Sequence, residues 1–100
     1  MKYKSKLEKF NKLLSSSNEI EILRFYFKNS VKYMNHKVTK AKDGVYIKNS
    51  LKKQYVELSH DKKFILLYSV EKNKIGQCIG EIILEDYISQ LKRIDDLLKI

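Results

Sequence analysis

Apolar residues change their spacing several times along this chain, and each change marks a new element. Over residues 2–15, Leu7, Phe10, Leu13 and Leu14 fall at helical intervals with lysines between them, which predicts a short amphipathic helix. Ser15-Ser16-Ser17 stops it. Ser16-Ser17-Asn18-Glu19 then fits a capping box, in which the Ser16 hydroxyl and the Glu19 carboxylate close the free N–H groups of a new first turn. A second helix follows over about 18–28, with Ile20, Leu23 and Phe27 on one side and Ile22 and Tyr26 beside them. The same residues are good strand formers, so a strand is the rival reading, and the capping box favours the helix.

Asn29-Ser30 is the next break, and Ser30 is placed to cap a third helix. Val31, Met34, Val38 and Ala41 recur at 3-4-3 spacing, which puts all four on one face of a helix over 30–42. The other side of that helix carries Lys32, Asn35, His36, Thr39 and Lys40, with Lys37 and Lys42 at its edges. Asp43-Gly44 ends the pattern as a turn. Residues 45–54, VYIKNSLKKQ, read as a strand, or as a short helix with Ile47, Leu51 and Tyr55 in register.

Beyond them the period falls to two. Gln54, Val56 and Leu58 alternate with Tyr55, Glu57 and Ser59, and Phe64 to Val70 is apolar on both faces. The two runs predict a hairpin with a charged tip at Ser59 to Lys63, whose second arm is central. Residues 74–84 predict a further strand, in which Gly76, Cys78 and Gly80 permit close approach of another element. Leu84, Tyr87, Leu91, Ile94 and Leu98 then mark a C-terminal helix over 85–99, acidic at its start and with Lys99 at its end. Its apolar stripe serves either its own domain or a dimer seam. The acidic pairs Glu85-Asp86 and Asp95-Asp96 are expected on its solvated surface.

One hundred residues with a 43% apolar share support a single domain with a modest core, classed as α+β. There is no proline and there are only three glycines, so no linker is visible. No apolar run approaches a membrane span, and the N-terminus lacks the apolar stretch of a secretory signal. The single cysteine, Cys78, precludes an internal disulfide and suits a reducing cytoplasm.

Charge changes the picture most. The net charge is +9, with residues 1–80 at +11 and residues 81–100 at −2. Nineteen of the 21 cations are lysines, and no acid lies between Arg24 and Asp43. A lysine-rich surface serves solubility alone, or it attracts a polyanion, most often nucleic acid. Lysine reaches phosphates and guanine edges, asparagine pairs with adenine, and threonine serves either role.

The order helix, helix, helix, hairpin over residues 3–70 resembles the winged helix-turn-helix proteins, as an architecture rather than through a sequence motif. The resemblance implies a helix-turn-helix, a β-wing at the hairpin, and a non-catalytic protein that binds specific double-stranded DNA. It implies a regulator or accessory factor of a plasmid or phage. The expected DNA-binding residues are Lys32, Asn35, His36, Thr39 and Lys40 on the helix and His60, Lys62 and Lys63 on the wing. Residues 45–54 depart from the usual pattern. If they are the recognition helix, Lys48, Asn49, Lys52 and Lys53 do the reading. The acidic C-terminal helix is expected to stay away from DNA, where it forms a homodimer. The plain alternatives are a solvated helix face and a sheet turn whose lysines oppose edge aggregation.

Chemistry beyond binding has little support. His36, His60 and Cys78 form no zinc spacing, and no phosphate-binding glycine loop or HExxH is present, so no cofactor or metal is expected. Two other function classes stand beside DNA binding. One is an inhibitor or immunity-type protein of a mobile element. The other is a small ribonuclease using His60, Asp61 and Lys63.

Overall fold

The computed structural model describes residues 5–16 and 18–98. Along them run helix α1 (Lys6–Ser16), helix α2 (Glu19–Lys28), one 3-10 turn (Val31–Tyr33), strands β1 (Lys37–Ala41), β2 (Gly44–Lys48), β3 (Lys53–Leu58), β4 (Phe64–Glu71) and β5 (Lys74–Ile83), and helix α3 (Leu84–Leu98). The strands form one antiparallel meander in sequence order, with β1 and β5 at its edges. The α+β class is as expected, as are the first two helices, the hairpin, the strand after it and the C-terminal helix. Lys99 lies outside the described residues.

Strand alternation builds the core. Val45 and Ile47 of β2, Val56 of β3, and Ile65 and Leu67 of β4 face one way and meet Phe10, Ile22, Leu23 and Phe27 of the helices. The side packed by the helices is called the inner face below. Phe10 is the hub of the helical layer, with its ring 5.3 Å from Phe25 and 5.1 Å from Tyr87. Leu84, Tyr87 and Leu91 of α3 are buried in this core, so that three of the five residues of the C-terminal stripe are used within the chain. Ile94, Leu97 and Leu98 remain exposed.

The helix caps differ from the expected ones. Asn18, not Ser16, caps α2, accepting from the N–H of Glu21 at 3.3 Å. Ser16 instead turns its hydroxyl to the carbonyl of Leu13 at 2.7 Å. Ser5 stands just before α1, and its Oγ accepts from the N–H of Glu8 at 3.1 Å and donates to Asp95 of α3. Asp95 is therefore not solvated surface. It is 3% exposed and ties the two ends of the chain together.

The expected helix over 30–42 does not form. A 3-10 turn occupies 31–33 and a strand occupies 37–41, paired with β2 from Lys37↔Lys48 to Ala41↔Gly44. Ser30 precedes the turn without a side-chain cap bond. Val31 and Met34, expected on a buried face, are 84% and 72% exposed. The reason is local and tertiary at once. Asn35, His36, Val38 and Thr39 all belong to the weak half of the helix scale, and Val38 and Thr39 favour a pleated surface. The Lys42-Asp43 turn then brings Val38 opposite Ile47, so this edge strand flanks the buried β2. Gly44 makes the turn possible. Its φ of 149° suits glycine, and a Cβ there would run into the ring of Tyr55. With no helix at 30–42, the residues of the expected helix-turn-helix lie on a turn and a strand.

Candidate nucleic-acid interface

The register divides the expected binding residues between opposite ends of the sheet. Lys37, Lys48 and Lys53 align at one end. The β3–β4 tip, where His60 and Lys63 are exposed, closes the other end. Lys32, Asn35 and His36 belong to the lysine-row end, just before β1. Thr39 and Lys40 are consecutive in β1 and so point to opposite faces. The set is not brought together at one surface.

The tip expected as a wing is fastened both internally and to the helices. Ser59 and Asp61 lock it from within. Ser59 Oγ donates to Asp61 at 2.7 Å and accepts from the N–H of Phe64 at 3.0 Å, and Asp61 accepts from the N–H of Lys63 at 3.0 Å. These donors hold the Asp61 carboxyl below its ordinary value, the Ser59 hydroxyl first. Lys62 turns inward with φ 59° and donates from Nζ to the carbonyl of Leu14 at 3.1 Å. The N–H of Leu84 donates to the carbonyl of Lys63 at 2.9 Å. The tip thereby ties the sheet to the end of α1 and the start of α3.

The other end of the sheet carries an arrangement that no single segment discloses. Lys37, Lys48 and Lys53 stand side by side across β1, β2 and β3 on the face away from the helices. Among the described residues none of the three is ion-paired, and the salt bridge present is Arg24–Glu21 on α2. Adjacent strands lie about 4.8 Å apart, and like charges directly opposite one another are destabilising. Lys72 and Lys74 lie at the same end, in and after the β4–β5 turn.

The next row of this outer face is aromatic. Tyr46, Tyr55 and Tyr68 align across β2, β3 and β4, with ring centres 5.5 Å and 5.6 Å apart. Lys53 Nζ sits 4.4 Å from the centre of the Tyr46 ring, a cation–π contact that joins the two rows. Glu57 accepts from the hydroxyls of Tyr55 at 3.3 Å and Tyr68 at 2.8 Å, and Tyr46 donates to Asp43 at 2.7 Å. These carboxylates favour the neutral phenols. Tyr68 is pushed up to about 12, first by its bond to Glu57. Tyr46 is raised first by Asp43, and Tyr55 first by burial and then by Glu57. The outer face is thus positive along the lysine row and negative beyond the tyrosines.

His36 and Asn49 meet at this end, on the helix side. Asn49 Oδ1 accepts from the N–H groups of Leu51 at 2.8 Å and Lys52 at 2.7 Å, closing the β2–β3 loop. Its Nδ2 lies 3.1 Å from His36 Nε2. Both residues, with Tyr33 and Lys52, border an open cleft of about 450 Å³ on the inner face.

Among the described residues no three His, Cys, Asp or Glu side chains gather as a metal site, and no helix is long and apolar enough to cross a membrane. No family model matches the chain, and no curated protein or solved structure matches it. Residues 45–54 read from the sequence as a strand or a short helix, with Lys48 and Lys53 as reading residues only in the helix, and Lys37 stands only at the edge of the helix expected over 30–42. The structure has β2, a loop and the start of β3 over 45–54. Strand register is what unites the three lysines.

Proposed function

We propose that this protein is a non-catalytic nucleic-acid-binding protein that holds a phosphate backbone along the lysine row Lys37–Lys48–Lys53. One observation carries the reading. Three lysines are stacked in register across neighbouring strands, and none of them is ion-paired among the described residues. Such a row works against the sheet's own stability, and a polyanion relieves it. The net charge of +9 supplies long-range attraction in the same direction. Glu57 and Asp43 confine the phosphates to the lysine end, since a backbone crossing the tyrosine row would meet them. Of the residues expected from the sequence, Lys32, Asn35 and His36 lie at this end of the sheet, Lys32 and His36 toward the inner face, whereas His60 and Lys63 lie at the other end.

The reading is tested by binding of a labelled oligonucleotide across a salt series. With about five phosphates neutralised, log K falls against log salt with a slope of roughly −3.5 for a single strand or roughly −4.5 for a duplex. Absence of binding at low salt, or a flat salt dependence, contradicts it.

A further inference from the structure

The cleft beside the lysine end has the composition of a specific site rather than of an unfilled gap. Its floor is the inner face of the sheet, at Leu67, Gly80 and Ile82, and no residue of α1, α2 or α3 lines it. Its volume of about 450 Å³ falls in the range of small-molecule sites, roughly 300–1,000 Å³. Lys32 and Lys52 border it, and Lys52 is next in the chain to Lys53 of the row, so an anionic chain that leaves the row and turns around the β2–β3 loop meets further cations at the cleft's mouth. Glu81, from β5, also borders the cleft and keeps phosphate off that side.

Two residues make the cleft hard to explain by folding alone. Gln54 sits on the inner face of β3, where the next inward positions are Val56 and Leu58, and its carboxamide makes no hydrogen bond among the described residues. It offers a donor and an acceptor side by side, which is what the edge of a base presents in return. Gly80 has no positive φ, and a Cβ there would make only an ordinary contact with Leu67 at 3.4 Å. Neither backbone nor packing requires glycine at this position. Its missing side chain leaves the floor of the cleft open.

We infer that the cleft receives one unpaired nucleobase from a single-stranded nucleic acid whose phosphates lie on the lysine row. The inference rests on the nucleic-acid reading above and narrows it to strands with unstacked bases. A base already single-stranded is the least costly to bring out of its stack, whereas a paired base must first be extracted. Leu67, Ile79 and Ile82 offer its faces apolar contact, and Gln54 offers its edge a hydrogen-bond pair.

The test compares three probes on the whole chain: a labelled single-stranded DNA of mixed sequence, an abasic strand of equal length, and the matching duplex. The wild type should bind the base-bearing strand about ten-fold more tightly than the abasic one, about what one satisfied hydrogen bond with its buried contact contributes. Gly80→Val, which keeps a good strand residue but fills the floor, should remove that preference and leave abasic binding unchanged. Gln54→Leu, which keeps the size but removes the polar pair, should reduce it in the same way and serves if Gly80→Val misfolds. Equal wild-type binding of base-bearing and abasic strands overturns the base pocket while leaving phosphate binding intact. A preference that survives in both folded variants, or a duplex bound as tightly as the single strand, overturns it as well. If no probe binds at low salt, the nucleic-acid reading falls with it.

Discussion

Asn49 fixes the tautomer of His36. The amide oxygen of Asn49 is committed to the N–H groups of Leu51 and Lys52, so its Nδ2 is what faces His36 Nε2 at 3.1 Å. An amide nitrogen only donates, and therefore Nε2 accepts and the neutral imidazole carries its proton on Nδ1. That Nδ1 is buried and has no partner among the described residues. The ring is held in place by Asn49 and by its edge contact with Tyr33, 5.3 Å between centres.

Nitrogen-detected NMR of the histidines above neutral pH should therefore show His36 protonated at Nδ1. In Asn49→Asp the carboxylate accepts instead, and the proton should move to Nε2. A wild-type ring protonated at Nε2 would contradict the assignment of the loop.

The tyrosine row predicts an alkaline limit to stability. Tyr68 rises from its ordinary 10.0 to about 12, through the hydrogen bond to Glu57 first. A group that holds its proton more tightly when folded supports folding below its unfolded value. That support is lost as pH climbs through the folded value. Thermal stability should fall between pH 10 and about 12, the window set by Tyr68. Tyr26, Tyr46, Tyr55 and Tyr87 are raised as well and add to the slope. Glu57→Gln removes the carboxylate that holds Tyr55 and Tyr68 neutral, so tyrosinate absorbance should develop at lower pH. An unchanged titration in that variant would show that Glu57 does not set it.

A third expectation concerns Tyr87, whose buried hydroxyl has no hydrogen-bond partner among the described residues. Burial, with Tyr26 beside it, pushes this phenol up to about 12. An unsatisfied buried hydroxyl costs stability, so Tyr87→Phe should keep the ring packing on Phe10 and gain about 1 kcal/mol in urea denaturation. A loss of about that size would mean that the hydroxyl is satisfied after all.

What the sequence discloses depends on how local the deciding physics is. The helical stripe of Leu7, Phe10, Leu13 and Leu14 and the stripe of Leu84, Tyr87 and Leu91 are read correctly, because burial of one helix face follows from spacing within one segment. The β3–β4 hairpin is legible from its period of two. Residues 31–42 mislead because Val31, Met34, Val38 and Ala41 fit a helical spacing that the fold does not use. The competing signal was present. Val38 and Lys40 alternate before Asp43-Gly44, and Val45 and Ile47 alternate after it, which is the pattern of a hairpin around a turn. Asp95 misleads for another reason, since its partner Ser5 lies 90 residues away. The lysine row is not legible for the same reason. Lys37, Lys48 and Lys53 become neighbours only through pairing, and no window of sequence contains that register.

The most direct test sets the lysine row against the hairpin tip in one binding measurement. The triple variant Lys37→Ala, Lys48→Ala, Lys53→Ala should remain folded, because it removes mutual repulsion and only one cation–π contact, that of Lys53 on Tyr46. Titrated with the labelled single strand, it should bind at least ten-fold more weakly at low salt. Its salt slope should be flatter by about 2, the loss of three phosphate contacts. The double variant His60→Ala, Lys63→Ala should match the wild type in both affinity and slope. If the tip variant loses binding while the lysine-row variant keeps it, the backbone does not lie on the lysine row and the central claim is wrong.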